Sequence, residues 1–264
     1  MSERVDVHTH ALHSKIADKV LRQLAEHYKV TPKFSGTWED LEPRMAKCGI
    51  GKCFVHTAAT RPDQVIPANN WAISLKQHPM AVPFGTMHID YQDMEGELAR
   101  LWDNGVRGIK LHPDFQGFWL DDPKLDPLFA AIEGRFTLMV HVGDMNPPEK
   151  NPSCPFKVAA IKRKHPKLQM IAAHFGGVYQ WEYVIEAYRG LEIYMDTSSS
   201  LFKIPQPLLE QIFNFFPRHL FLFGSDYPIW DPESERDELQ RRLRLSDSEL
   251  EEIMTAGSRL GIYS

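Results

Sequence analysis

Two histidines one residue apart, His8 and His10 in Val5-Asp6-Val7-His8-Thr9-His10, close the first apolar run of the chain. Alternate side chains of a strand share a face, so His8 and His10 point together while Val5, Val7 and Thr9 turn the other way. Such a pair can hold a divalent metal, and it also occurs as an ordinary hydrogen-bonded strand end. Six further apolar runs finish on groups able to ligate or move a proton. These are His56, His88, the Lys110/His112 pair in Ile109-Lys110-Leu111-His112, His141, His174, and Asp226 in Gly224-Ser225-Asp226. In parallel α/β folds the active site lies at the carboxyl ends of the strands, so seven strand ends converge on one place.

The chemistry such a group supports is metal-assisted. Imidazole nitrogens and carboxylate oxygens suit zinc, and also manganese, iron or nickel, and none of these positions supplies a thiolate. A catalytic metal keeps a coordination position for water and lowers its pKa toward neutrality. Asp226 is the candidate to accept the released proton and return it to a leaving group.

The elements that must carry these residues alternate along the whole chain. Strands are expected at Arg4–Val7, Lys52–His56, Ala81–Thr86, Gly105–Leu111, Phe136–His141, Leu168–Ala173, Glu192–Met195 and His219–Phe223. Helices are expected between them, the first over Lys15–Tyr28, where Ile16, Ala17, Val20, Leu21 and Leu24 form one apolar stripe. The others lie at Glu39–Cys48, Ala68–Gln77, Asp93–Asn104, Leu125–Glu133, Pro155–Lys164, Trp181–Tyr188 and Pro205–Phe216. Ser246 and Glu249 have the spacing of a capping box at the start of a terminal helix. Eight strands alternating with helices fit a closed (β/α)8 barrel, which needs about 250 residues. No linker or repeat divides residues 1–264, so one domain is expected. The stretch from Lys15 to Pro43 exceeds one crossover and reads as a helical excursion that covers a pocket.

Composition narrows the partners. The chain is 43% hydrophobic, 25% charged and carries a formal charge of -5, which speaks against a general attraction to nucleic acid or anionic membrane. Three cysteines without a CxxC pair favour a reduced compartment. A charged start without a leader pattern, and no apolar run of about 18 residues, make a cytoplasmic protein the expectation. A small-molecule substrate is expected, and a homodimer is left open, with Trp181 or Phe215 as exposed aromatics for an interface.

The motifs VDVHTH, RGIKLHPDF, LMVHVGD, IAAHFGG, MDTSSSLF and LFGSDYP, in this order over most of the chain, resemble the amidohydrolase superfamily. The branch is amidohydrolase family 2, typified by aminocarboxymuconate semialdehyde decarboxylase. The resemblance implies a distorted TIM barrel with His8, His10 and His141 as ligands to one divalent metal, zinc first, and Asp226 as ligand and proton shuttle. It implies that His174 either completes the metal shell or, as preferred, stands beside the bound water and polarises the substrate. In binuclear relatives a carboxylated lysine at the end of the fourth strand bridges two metals, and Lys110 has that position. The mononuclear reading is preferred, with Lys110 and His112 as candidates to hold a substrate carboxylate or carbonyl oxygen. His56, His88, Asp144, Ser198 and Trp230 are weaker rim candidates, and His13, His27, His78, His165 and His219 receive no role.

Fold does not fix the reaction. The leading expectation is a hydrolase in which metal-activated water attacks the carbonyl-type carbon of an amide, lactone or ester. The alternative is a nonoxidative decarboxylase or hydratase, a lyase acting on a small carboxylated compound with Lys110 or Arg107 as its anion holder. A catalytically silent metal- or ligand-binding barrel is the third reading, which the intact ligand set opposes.

Overall fold

The computed structural model describes residues 3–262. The strands are β1 (Val5–Thr9), β2 (Lys52–Val55), β3 (Ala81–Thr86), β4 (Gly108–Leu111), β5 (Thr137–Val140), β6 (Gln169–Ala172), β7 (Tyr194–Asp196) and β8 (Phe221–Leu222). They form one parallel sheet in the order β1-β2-β3-β4-β5-β6-β7-β8. Val7 N–H donates to Phe223 O at 2.8 Å, Asp226 N–H to His8 O at 2.7 Å and His10 N–H to Tyr227 O at 2.9 Å, which joins the last strand to the first. The result is a nearly closed TIM barrel, with all eight expected strands present, Ala81–Thr86 at its expected bounds and the others shifted at one or both ends by one to three residues.

The helices between and after them are α1 (Ala17–Tyr28), α2 (Trp38–Lys47), α3 (Val65–Leu75), α4 (Met94–Asp103), α5 (Pro113–Gln116), α6 (Asp126–Ile132), α7 (Pro155–Lys164), α8 (Val184–Tyr188), α9 (Gln206–Phe215), α10 (Pro232–Leu243) and α11 (Asp247–Ala256). Proline opens α5, α7 and α10, where its fixed φ suits a first helical turn and its missing N–H costs nothing. The capping box at Ser246 and Glu249 forms as its spacing predicts. Helix α10 has no counterpart in the sequence expectation, because its residues PESERDELQRRL are nearly all polar and only Pro232, Glu235 and Leu239 are buried. Among the described residues no helix is long and apolar enough to cross a membrane.

Two apolar layers hold the fold. Outward strand residues such as Val55, Ile109, Leu138, Val140, Met170 and Phe221 pack against the helices. Inward ones, Phe54, Phe84, Met139, Ile171 and Leu222, fill the barrel, and Ala256, Leu260 and Ile262 close it from below. Burial of each large side chain contributes roughly 1.5–3 kcal/mol. Gly108 belongs to this inner layer as an absence, since a Cβ there would lie 2.5 Å from the Phe84 ring. Val5 and Val7 correct the alternation expected for β1. They belong to the inner cluster, and a register shift between Asp6 and Thr9 brings His8 and His10 inward as well. A bulge adds one residue and resets the alternation, which a strict period of two cannot anticipate.

Two surface expectations also change. Ile16, at the head of the expected stripe, is 49% exposed, and Ala17 is the only buried residue of α1. Trp181 is buried with its indole N–H donating to His174 O at 2.9 Å, while Phe215 stays 40% exposed. Cys48, Cys53 and Cys154 are buried free thiols.

Candidate active site

Above the apolar plug the barrel turns polar, and His8, His10 and Asp226 come together there. His8 Nε2 lies 3.6 Å and His10 Nε2 3.4 Å from Asp226 Oδ1. Hydrogen bonds fix which nitrogen of each ring carries the proton. His8 Nδ1–H donates to Asp196 Oδ2 at 3.0 Å, and His10 Nδ1–H to His56 O at 3.2 Å. Both Nε2 atoms therefore present a lone pair to a carboxylate oxygen, an arrangement that repels until a cation stands among the three.

His141 and His174 repeat the pattern. His141 Nε2–H donates to Gly143 O at 3.1 Å, and His174 Nδ1–H donates to Ser198 O at 3.2 Å and Ser198 Oγ at 3.0 Å. The remaining His141 Nδ1 and His174 Nε2 face each other at 3.0 Å. Burial pushes the His141 ring well below its ordinary pKa and brings His174 down to about 4, so at neutral pH neither supplies a proton to that gap. Nitrogen and oxygen lone pairs without protons between them are the kind of donors that suit a divalent cation. His8, His10 and Asp226 lie within 4.8 Å of one another, a group suited to a metal, and His141 stands beside His174 rather than in that trio.

Asp196 and Ser198, at and just beyond the end of β7, organise the rings from behind. Ser198 Oγ–H donates to Asp196 Oδ1 at 2.5 Å, and the same oxygen lies 3.0 Å from both His8 Nδ1 and His174 Nδ1. Asp196 Oδ1 also takes the backbone N–H of His174 and of Ser198. Burial opposes charge on Asp196, but His8, His174 and Ser198 outweigh it and its carboxyl is lowered to about 2. Asp226 Oδ2 accepts from Ser199 Oγ–H, whose oxygen takes the Trp230 indole N–H at 3.0 Å. Backbone strain concentrates at the same strand ends. His174 (φ 65), Ser199 (φ 51) and Asp226 (φ 59) all adopt the left-handed conformation, roughly 1–2 kcal/mol apiece for an L-residue.

Lys110 and His112 share one face of β4 and its continuation. Lys110 is 1% exposed, and its Nζ has His8 Nε2 at 3.5 Å as its hydrogen-bond partner. Burial lowers its pKa to about 8 against the opposing pull of Asp196 and Asp226. His112 stacks on His141 with ring centroids 4.0 Å apart and planes 8° from parallel. Its Nδ1 accepts from Phe115 N–H and its Nε2 lies 3.0 Å from Tyr28 Oη, so both nitrogens are engaged. His56 sits deeper, with Nε2–H donating to Val7 O at 2.8 Å and Nδ1 buried without a partner among the described residues.

The sequence model of amidohydrolase family 2 matches residues 5–256. The chain belongs to the amidohydrolase family. Members of this family bind a divalent metal, in keeping with the histidine and aspartate donors of the barrel mouth. No curated protein matches this amidohydrolase by sequence. Among solved structures it is similar to an uncharacterised TIM-barrel protein from Bordetella bronchiseptica, with TM-score 0.74, 17% identity, and coverage of 97% of this chain and 99% of that one. A 2,6-dihydroxybenzoate decarboxylase solved with 2,6-dihydroxybenzoate is similar at TM-score 0.68, 16% identity, 98% and 99% coverage. So is a dihydroxybenzoic acid decarboxylase from Polaromonas, solved with manganese and the inhibitor 2-nitroresorcinol, at TM-score 0.68, 12% identity, 99% and 97% coverage.

Sequence reasoning about this amidohydrolase left Asp196, Ser199 and Tyr28 unassigned. Asp196 lies inside the MDTSSSLF motif, but its link to His8 spans 188 residues and exists only in the folded barrel. Tyr28 carried no signal beyond its place on the excursion.

Proposed function

We propose that this protein is a metal-dependent lyase that removes carbon dioxide from a small carboxylated compound. The observation that carries this reading is Lys110. A buried ammonium ion is stable only when an anion or several acceptors meet it. Lys110 has one nitrogen acceptor at 3.5 Å and no carboxylate in ion-pair contact among the described residues: Asp196 is engaged with His8 and Ser198, Oδ2 of Asp226 with Ser199, and Oδ1 of Asp226 faces His8 and His10. A substrate that brings its own carboxylate supplies the missing charge, and a neutral amide, lactone or ester does not.

His8, His10, His141 and Asp226 would hold the metal, with manganese or zinc both compatible with the donors. When bound, a divalent cation there polarises an oxygen of the substrate and stabilises negative charge. Lys110 binds the carboxylate that leaves. Breaking the carbon–carboxylate bond releases carbon dioxide and leaves an electron pair on carbon, which a proton must meet. Asp226, whose Oδ1 faces the site, carries that proton from solvent. His112 braces His141 by stacking.

Hydrolysis of an amide, lactone or ester is the second reading, and one observation favours it. His174 stays neutral, and its Nε2 lone pair, which faces His141 Nδ1 at 3.0 Å, suits accepting a hydrogen bond from a water and orienting it for attack.

The test is carbon dioxide release by manganese-reconstituted protein given 2,6-dihydroxybenzoate and related aromatic acids, run beside a panel of lactones, esters and amides. Release that is abolished in Asp226→Asn is the expected result. Turnover confined to the lactone and ester panel would overturn the lyase reading in favour of hydrolysis.

A further inference from the structure

Helix α1 reaches across the barrel mouth and is pinned there by its last two residues. His27 Nε2 lies 2.9 Å from Asp114 Oδ2, and the His27 and Tyr28 rings contact Phe115 at 4.8 and 5.3 Å between centroids. The Tyr28 ring stands 6.0 Å from His141 and its hydroxyl oxygen 3.0 Å from His112 Nε2. His27 thus has a place in the architecture that the sequence did not reveal.

The direction of the Tyr28–His112 hydrogen bond follows from its neighbours. His112 Nδ1 accepts from Phe115 N–H, so in the neutral ring the proton sits on Nε2 and points at the phenol. Tyr28 Oη is therefore the acceptor, and its own hydrogen has no acceptor among the described residues. Burial, reinforced by Asp114, holds the phenol well above its ordinary pKa, so that hydrogen is retained.

The geometry points to Tyr28 as a substrate-recognition residue, carried on a helix outside the barrel framework, whose O–H donates to an oxygen of a carboxylated ligand seated at the mouth. The choice of ligand rests on the lyase reading above. Ala17 alone among the residues of α1 is buried, so the helix is held over the mouth chiefly by the contacts of His27 and Tyr28. Lys110 lies two residues deeper than His112 along the same strand direction, which gives the site two donors at different depths.

Isothermal titration of manganese-reconstituted protein with 2,6-dihydroxybenzoate tests the assignment. Tyr28→Phe keeps the ring contacts and removes only the hydroxyl. Loss of one hydrogen bond to a charged acceptor predicts a roughly 10- to 100-fold weaker Kd, with manganese affinity and melting temperature unchanged. Amide exchange across residues 17–28 should slow on ligand binding in the wild type and slow less in the variant. Equal affinity in the two proteins overturns the assignment and leaves the lyase reading standing. Failure of the wild type to bind the acid at all overturns the aromatic-acid reading, and the assignment with it. His27→Ala, which loosens the helix while keeping the hydroxyl, separates the two contributions: an affinity loss as large as that of Tyr28→Phe with no further loss in the double variant would overturn a direct contact.

Discussion

His141 Nδ1 and His174 Nε2 face each other at 3.0 Å with the opposite nitrogen of each ring already donating to a carbonyl oxygen. Two neutral imidazoles in this orientation repel. The arrangement is sustained by the folded scaffold, through the Gly143 carbonyl on one side and Ser198 on the other, and an electrophile between them relieves it.

Metal binding should therefore stabilise the protein as well as equip it for chemistry. Free manganese or zinc at 100 times its Kd adds about 2.7 kcal/mol to the unfolding free energy. Thermal unfolding with added metal and with a chelator measures this, and His141→Ala should reduce the difference. An identical melting temperature in both conditions would refute a metal held by these residues.

Asp196→Asn should weaken manganese affinity by roughly 10- to 100-fold although Asp196 stands outside the trio facing the site. The carboxylate accepts His8 Nδ1–H at 3.0 Å, and this bond keeps the Nε2 lone pair turned inward. An amide can offer its NH2 to His8 instead and reverse the tautomer. Manganese titration followed by electron paramagnetic resonance reads the effect. Wild-type affinity in the variant would mean that the ring is oriented by packing alone.

The limits of the sequence are visible in these same residues. His8, His141, His174 and Asp226 were legible because each ends an apolar run and the barrel brings strand ends together. Asp196 was not, because a carboxylate inside a strand reads as a core oddity until His8 is seen behind it. The inward turn of Val5 and Val7 depends on a bulge, a local count that alternation hides. Helix α10 escaped because it covers the barrel with few buried side chains, and hydrophobic period is the signal by which a helix is read. Tyr28 became meaningful only when its hydroxyl met His112, 84 residues away.

The stability contributed by Glu235 and Asp6 should fall as pH rises, opposite in sense to the contribution of the buried histidines, whose pKa values are lowered. Glu235 is 0% exposed, and both of its carboxyl oxygens lack a partner among the described residues. Burial, with Asp226 and Asp6 adding repulsion, holds its pKa well above 4.5, and burial brings Asp6 to about 7. The folded state thus keeps protons that the unfolded chain releases. The favourable contribution is complete below the unfolded values and is lost as pH rises through the folded ones. Glu235→Gln removes the charge to be buried and should gain about 1–3 kcal/mol at pH 8, with a shallower pH dependence. Urea unfolding between pH 5 and 8.5 decides, and a less stable Gln variant at pH 8 would contradict the prediction.

Gly143→Ala should damage both stability and metal binding. Gly143 has φ 89, and a Cβ there would come within 2.3 Å of Val178 O, a backbone atom that cannot swing aside. The same residue supplies the carbonyl that takes His141 Nε2–H at 3.1 Å, so any shift of the loop turns the ring. Steric overlap together with an L-residue at positive φ predicts a loss of roughly 2–4 kcal/mol. Gly134→Ala is the matched control, since Gly134 has φ 71 but nothing within 4 Å of the added carbon. It should cost only about 1–2 kcal/mol for the backbone and leave metal affinity intact. Unfolding in chelator isolates the steric cost, and manganese titration of the folded variants isolates the effect on His141. If Gly143→Ala lost stability yet bound manganese as the wild type does, the Gly143 carbonyl would not be what aims His141 at the metal.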